Sequence, residues 1–174
     1  METTALISIS CADQRGLVAS LAGRLFDLGC NLGDTSFAVL GEGAQFTSLC
    51  TLPEGLAVSE LETDLARLPE LSGAELSVRQ FELEPLHGPS ASVTHRIIVD
   101  GGDRPGLIAR LTEVFVQFDA NIVRMNSERT PSKQGFRYLT RFAVSIPEGR
   151  EKACLATVGN TAGELNMTCS WEVS

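Results

Sequence analysis

The sequence predicts an α+β fold made of two copies of one small module in tandem, each running β-α-β-β-α-β. Three observations carry this. The stretch Asp13-Gln14-Arg15-Gly16-Leu17-Val18 returns 90 residues later as Asp103-Arg104-Pro105-Gly106-Leu107-Ile108. Each copy then enters an apolar helix pattern that stops at an asparagine, Asn31 or Asn121, again 90 residues apart. Further on, Pro53-Glu54-Gly55 returns as Pro147-Glu148-Gly149 at an offset of 94, and Glu75-Leu76-Ser77-Val78 aligns with Glu164-Leu165-Asn166-Met167 at an offset of 89.

These offsets predict where the copies differ in length. Four residues are gained between Asn121 and Pro147, where residues 130–135 read as a longer turn. Five are lost between Gly149 and Glu164, within a helix.

Element by element, residues 5–11 (Ala-Leu-Ile-Ser-Ile-Ser-Cys) alternate as a half-buried strand does. Leu17, Val18, Leu21, Leu25 and Leu28 then recur at helical spacing and end at Gly29, and Leu107, Ile108, Leu111, Phe115 and Phe118 form the equivalent face. Residues 34–40 and 45–52 flank Gly41-Glu42-Gly43 as a hairpin. A second helix follows with Val58, Leu61, Leu65 and Leu68 on its apolar stripe, and residues 74–81 close the module as a strand. In the second copy the same elements fall near 93–99, 106–118, 122–146, 150–161 and 164–172, with Ala153, Cys154, Ala156 and Val158 as a weak stripe on the last helix. This order is the ferredoxin-like plan, a four-stranded antiparallel sheet with two helices on one face. The expected domains are residues 1–84 and 92–174, joined by the breaker-rich linker 85–91, Pro-Leu-His-Gly-Pro-Ser-Ala.

Of the 174 residues, 43% are hydrophobic and 21% charged, the balance of a globular protein. No apolar run approaches the roughly 20 residues that span a bilayer, and the first residues carry no basic targeting region, so a cytoplasmic location is expected. The five cysteines have no Cys-x-x-Cys spacing and lie in apolar or strand-like contexts, which predicts buried reduced thiols and no metal site. Residues 1–87 hold 4 basic and 13 acidic side chains, a net charge of −9, whereas the remainder has a net charge of +1. An acidic protein repels a phosphate backbone, so direct nucleic-acid binding is not expected.

In Asp-x-x-Gly-Leu a strand passes sharply into a helix. Glycine suits the tight turn, and it also lets a ligand approach backbone amides at the positive end of the helix dipole. The plainer reading of Asp13 and Asp103 is a helix cap, with ligand contact as the alternative. Pro105 fits the first helical turn, where no amide donor is needed. Asn31 and Asn121 read as left-handed caps after the helix, or as side-chain amides facing a ligand.

Taken together, Asp103-Arg104-Pro105-Gly106-Leu107, the helix behind it and Asn121-Ile122 at fixed distance resemble the ACT domain, a small regulatory module with this element order. The first copy keeps Asp13, Gly16, Leu17 and Asn31 but has Gln14-Arg15 where that family often has Arg-Pro or Lys-Pro. Two such modules filling the chain are similar to the glycine cleavage system transcriptional repressor family, tandem ACT proteins without a catalytic or DNA-binding domain. The resemblance implies a non-enzymatic sensor without a cofactor, in which a small amino acid binds where modules meet. Its ligand residues would be Asp13, Gln14, Arg15, Gly16, Leu17 and Asn31 in one copy, and Asp103, Arg104, Pro105, Gly106, Leu107 and Asn121 in the other. A regulatory protein partner and a homo-oligomer are expected with it. The ligand's carboxylate would sit on loop amides at 16–17 or 106–107, and its ammonium on carbonyls or an Asn oxygen.

Other classes fit less well. Acylphosphatases share the topology, and Arg15 and Arg104 fall near the place of their phosphate-binding arginine, but the Gly-rich cradle is missing. His87 and His95 have no partner set for nucleophilic catalysis, and His95 reads as structural or solvent-facing. Gly135-Phe136-Arg137-Tyr138-Leu139 partly matches an RNA-recognition strand, with Gln134, Arg137 and Arg141 in disagreement. Arg124, Arg129, Lys133, Arg137 and Arg141 gather on one hairpin, read as a solvated surface rather than a docking site.

Overall fold

The computed structural model describes residues 3–102, 105–133 and 135–174. The chain divides into two compact units, Met1–Pro85 and Leu86–Ser174. Asp103, Arg104 and Gln134 lie outside the described residues.

In the first unit the alternation of residues 5–11 becomes β1 (Thr3–Ala12), with Ala5, Ile7 and Ile9 turned inward. Helix α1 (Leu17–Asp27) follows, then the hairpin β2 (Asn31–Leu40) and β3 (Gly43–Leu52), helix α2 (Val58–Leu65), a 3-10 turn (Pro69–Leu71) and β4 (Glu75–Gln80). The sheet order is β2-β3-β1-β4, and every neighbouring pair is antiparallel. Both helices lie on one face, where Leu21, Leu61 and Leu65 are fully buried against Ile7 and Phe46. Burying each such side chain contributes roughly 1.5–3 kcal/mol. A polar row crosses the opposite face, where Ser77, Ser8, Thr47 and Ser36 stand opposite one another across all four strands.

The second unit repeats the plan with β5 (His95–Gly102), α3 (Leu107–Gln117), β6 (Asn121–Ser132), β7 (Gly135–Ser145), α4 (Glu151–Glu164) and β8 (Met167–Val173), in sheet order β6-β7-β5-β8. Ile97, Leu111 and Phe142 are buried here, and Phe115 meets Phe142 edge-on at 5.3 Å between ring centroids. The α+β class and the duplicated ferredoxin-like plan expected from the sequence are what the chain adopts.

Several finer expectations are corrected. Residues 130–135 do not form a longer turn, because Pro131 pairs with Phe136 and Ser132 with Gly135. The four extra residues instead lengthen the hairpin by two rungs. The last strands align at an offset of 93: Val78 and Trp171 both pair with the equivalent residues Ile7 and Ile97. Glu75 therefore does not correspond to Glu164, and the second helix of the second copy has not lost five residues. Its 14 residues replace an 8-residue helix plus a 3-10 turn.

That helix is also rotated from its expected phase. Cys154, Leu155, Val158 and Ala162 are buried while Ala153 and Ala156 face outward, because Leu155 carries more apolar area than either alanine. On α1, Val18 is 39% exposed, since Leu17, Leu21 and Leu25 already fill the contact with the sheet.

Candidate functional site

The chain enters both first helices through a glycine in the left-handed region, Gly16 at φ 85° and Gly106 at φ 77°. A side chain built on either would meet nothing within 4 Å. Glycine is therefore required here by backbone conformation and not by crowding. Each glycine carbonyl takes the first helical hydrogen bond, from Ser20 N–H at 2.8 Å and Arg110 N–H at 3.0 Å.

Among the described residues no side chain caps either helix. The expected cap by Asp13 is absent: its side chain makes no such bond, and its backbone N–H instead donates to the Glu42 carbonyl in the β2–β3 turn at 2.9 Å. The intervening Gln14, Arg15 and Gly16 put Asp13 too far back along the chain to act as the cap residue. The helix begins two residues after Pro105, so this proline lies in the turn ahead of the cap and not in the first helical turn. Asp103 and Arg104 fall on undescribed positions.

Around the first corner Asp13, Gln14, Arg15 and Gly16 are exposed, and Leu17 points into the core, so Leu17 offers a ligand only its backbone N–H. Leu107 is buried in the same way. The Gln14 side chain donates to the Glu70 carbonyl in the 3-10 turn after α2, tying the corner to that segment. Among the described residues, one buried carboxylate oxygen of Glu70 has no hydrogen-bond partner. Nothing in the residue types announced this contact, which joins positions 56 apart.

The asparagines do not take left-handed caps. That conformation falls two residues earlier, on Gly29 (φ 74°) and Asp119 (φ 52°). Asn31 and Asn121 instead start β2 and β6, paired with Thr51 and Ser145. Both stand just ahead of a register shift, after Leu32 in β2 and after Ile122 in β6. The Asn31 side chain is exposed and has no partner among the described residues. The Asn121 amide donates to the Ser90 carbonyl at 2.8 Å.

The four hollows described in the two units are lined by other residues than those of the two corners.

Burial pushes the Cys50 thiol up to about 12 and Cys154 to about 11, which leaves both poor nucleophiles. His95 is buried, its Nδ1 3.0 Å from the Thr94 hydroxyl. On the basic hairpin Arg137 pairs with Asp100, Arg141 with Glu128, and Arg129 lies 3.8 Å over the Phe136 ring. No described helix is long and apolar enough to cross a membrane.

Comparison with known proteins agrees with this architecture. One ACT domain sequence model matches residues 3–79 and another matches residues 95–153. The glycine cleavage system transcriptional repressor of Escherichia coli (strain K12) is 32% identical over 127 residues, which are 70% of this chain and 63% of that protein. The match thus spans less than two thirds of the relative's length. Among solved structures, an unknown protein from Galdieria sulphuraria aligns at TM-score 0.77 and 19% identity over 100% of this chain and 99% of its own. A candidate glycine cleavage system transcriptional repressor aligns at TM-score 0.69 and 14% identity over 100% and 98%. At those identities the structural likeness is one of fold. With each repeat matched by its own model and folded as β-α-β-β-α-β, the chain belongs to the ACT domain family and carries two ACT domains in tandem.

Proposed function

We propose that this chain is a cytoplasmic, amino-acid-sensing regulatory protein of the glycine cleavage system repressor type, without catalytic activity of its own. The observation that carries the reading is the pair of exposed left-handed glycine corners, each opening a helix whose first-turn amides no side chain caps among the described residues. An α-amino acid places its carboxylate on those amides, where the helix dipole and free donors favour negative charge. In the first domain the groups involved are Asp13, Gln14, Arg15, Gly16, the Leu17 amide and Asn31. In the second they are Asp103, Arg104, Pro105, Gly106, the Leu107 amide and Asn121. A further ACT domain surface packed against a corner completes the site and holds the ammonium. A homo-oligomer supplies such surfaces, and ligand preference for one packing is passed to a regulatory protein partner that acts on transcription.

A thermal-shift panel of the twenty amino acids tests this. A ligand that binds only the folded state at about 100 times its Kd adds about 2.7 kcal/mol, a rise of several degrees. One or a few small amino acids should raise the midpoint, and none should be consumed. A flat panel, or turnover of an acyl phosphate that is lost on Arg15→Ala, would overturn the reading.

A further inference from the structure

We infer that the hollow between the linker turn and the start of β6 binds a small oxyanion, a carboxylate or a phosphate, on Arg124. The site lies apart from both glycine corners, so it stands or falls independently of amino acid binding there. The hollow measures about 450 Å³ and is lined by His87, Gly88, Pro89, Ala91 and Ser92 ahead of β5 and by Val123 and Arg124 in β6. That volume suits a small metabolite. Both walls are held in place. On one side Pro89–Ala91 form a 3-10 turn, closed by Ala91 N–H to the Gly88 carbonyl at 3.0 Å and by Ser92 N–H to the Pro89 carbonyl at 3.2 Å. The Asn121 amide donates to the Ser90 carbonyl at 2.8 Å, fastening the middle of that turn to the first residue of β6. On the other side the register shifts between Ile122 and Arg124, leaving Val123 without a partner on β7. A bulge of this kind re-aims the side chains around it.

Charge decides what fits. The chain has a net charge of −8, yet no carboxylate lines this hollow, whose titratable side chains are His87 and Arg124. Three other arginines of the hairpin are engaged: Arg137 with Asp100, Arg141 with Glu128, and Arg129 over the Phe136 ring. The Arg124 guanidinium makes no ion pair or hydrogen bond among the described residues. Across the strands it stands opposite Ala143, which in turn stands opposite Arg96, so the next charge along that row is also positive. A guanidinium in this state presents paired N–H donors that match the oxygens of a carboxylate or a phosphate. The His87 imidazole and the Ser92 hydroxyl bring further donor groups from the opposite wall. An anion held there bridges β6 to the linker turn and adds a hold on the segment that joins the two domains.

Isothermal titration calorimetry of the full chain with inorganic phosphate and with succinate, run separately at fixed ionic strength, tests this. At least one of the two should bind saturably, and Arg124→Gln should weaken it by about tenfold or more. Arg124→Lys, which keeps the charge but loses the fork, is the second variant and should also bind more weakly; circular dichroism confirms folding. Arg79→Gln, the same loss of charge on β4 of the first domain, should bind as wild type does. Saturation by phosphate alone assigns a phosphate site, and by succinate alone a carboxylate site. No saturable binding of either probe, wild-type affinity in both Arg124 variants, or an equal loss in Arg79→Gln would overturn the site and leave the amino acid reading untouched.

Discussion

Gly73 and Asn166 occupy one and the same turn of the repeated fold, 93 residues apart and both left-handed, at φ 77° and 55°, just before the last strand of their units. Asn is among the few residues with a side chain that tolerate this region, but glycine does so without steric cost. Asn166→Gly should therefore leave stability unchanged or raise it by up to about 1 kcal/mol, whereas Asn166→Val should lower it by about 1–2 kcal/mol. Urea midpoints of the two variants check this.

The same reasoning applies to the corner glycines with the opposite sign. Gly16→Ala has room for its methyl group but must adopt φ 85°, so it should cost about 1–2 kcal/mol. Gly106→Val should lose stability similarly and also weaken amino acid binding by obstructing the amides, whereas Glu148→Gln should do neither. Equal affinities for the two variants would argue against ligand contact at the second corner.

Gly101 is constrained by space instead. A methyl group there would lie 2.8 Å from Met167 Cγ and 3.1 Å from its Cα, on the neighbouring strand β8. The side chain can swing away, whereas relieving the backbone contact requires β8 itself to give by a few tenths of an ångström. Gly101→Ala should cost about 1–3 kcal/mol, and adding Met167→Ala should restore only part of it, as thermal denaturation of the single and double variants would report.

Thr94 ties the start of β5 to the end of β7 through one hydroxyl. It donates to the Val144 carbonyl at 3.2 Å, accepts the Ile146 N–H at 2.9 Å and lies 3.0 Å from His95 Nδ1. Thr94→Val keeps the shape and strands a buried N–H, at a cost of about 1–3 kcal/mol. A chemical denaturation curve for this variant superposable on wild type would contradict that assignment.

Acid should destabilise both domains through one carboxylate in each. Asp64 is held below the ordinary carboxylate range, first by its hydrogen bond from Arg24 and then by the charge of Arg24, against the opposing effect of burial. Arg137 holds Asp100 down in the same way. Because each carboxyl takes up its proton at lower pH when folded than when unfolded, its contribution is complete at neutral pH. It is lost as the pH falls below the usual carboxylate values and through the folded one. Arg24→Gln and Arg137→Gln should each flatten the decline in stability measured between about pH 6 and pH 2.

The repeat was legible because its chemistry is local. A glycine at positive φ, an apolar face at helical spacing and alternating strands such as Ala5, Ile7 and Ile9 are all fixed within a few residues, so an offset of 90 carried one unit's reading onto the next. The mistakes came where the deciding contact is distant. Val78 corresponds to Trp171 because both pair with the first strand of their sheets, a fact invisible in the short match of Glu75 to Glu164. Leu155 was missed because the phase of a short helix with low apolar contrast is set by the sheet beneath it. At the candidate site the two glycine turns were readable from residue type. The bond from Gln14 to Glu70 and the capture of Asn121 by Ser90 were not, since each uses a backbone carbonyl, which every residue has.

The two added rungs of the second hairpin lengthen its ribbon by roughly 7 Å, and the outer strand of that extension includes Pro131. An imino nitrogen cannot donate, so the row of outward amides is interrupted where the ribbon has grown. The enlargement therefore came with its own protection against templating fibril growth by edge-to-edge stacking.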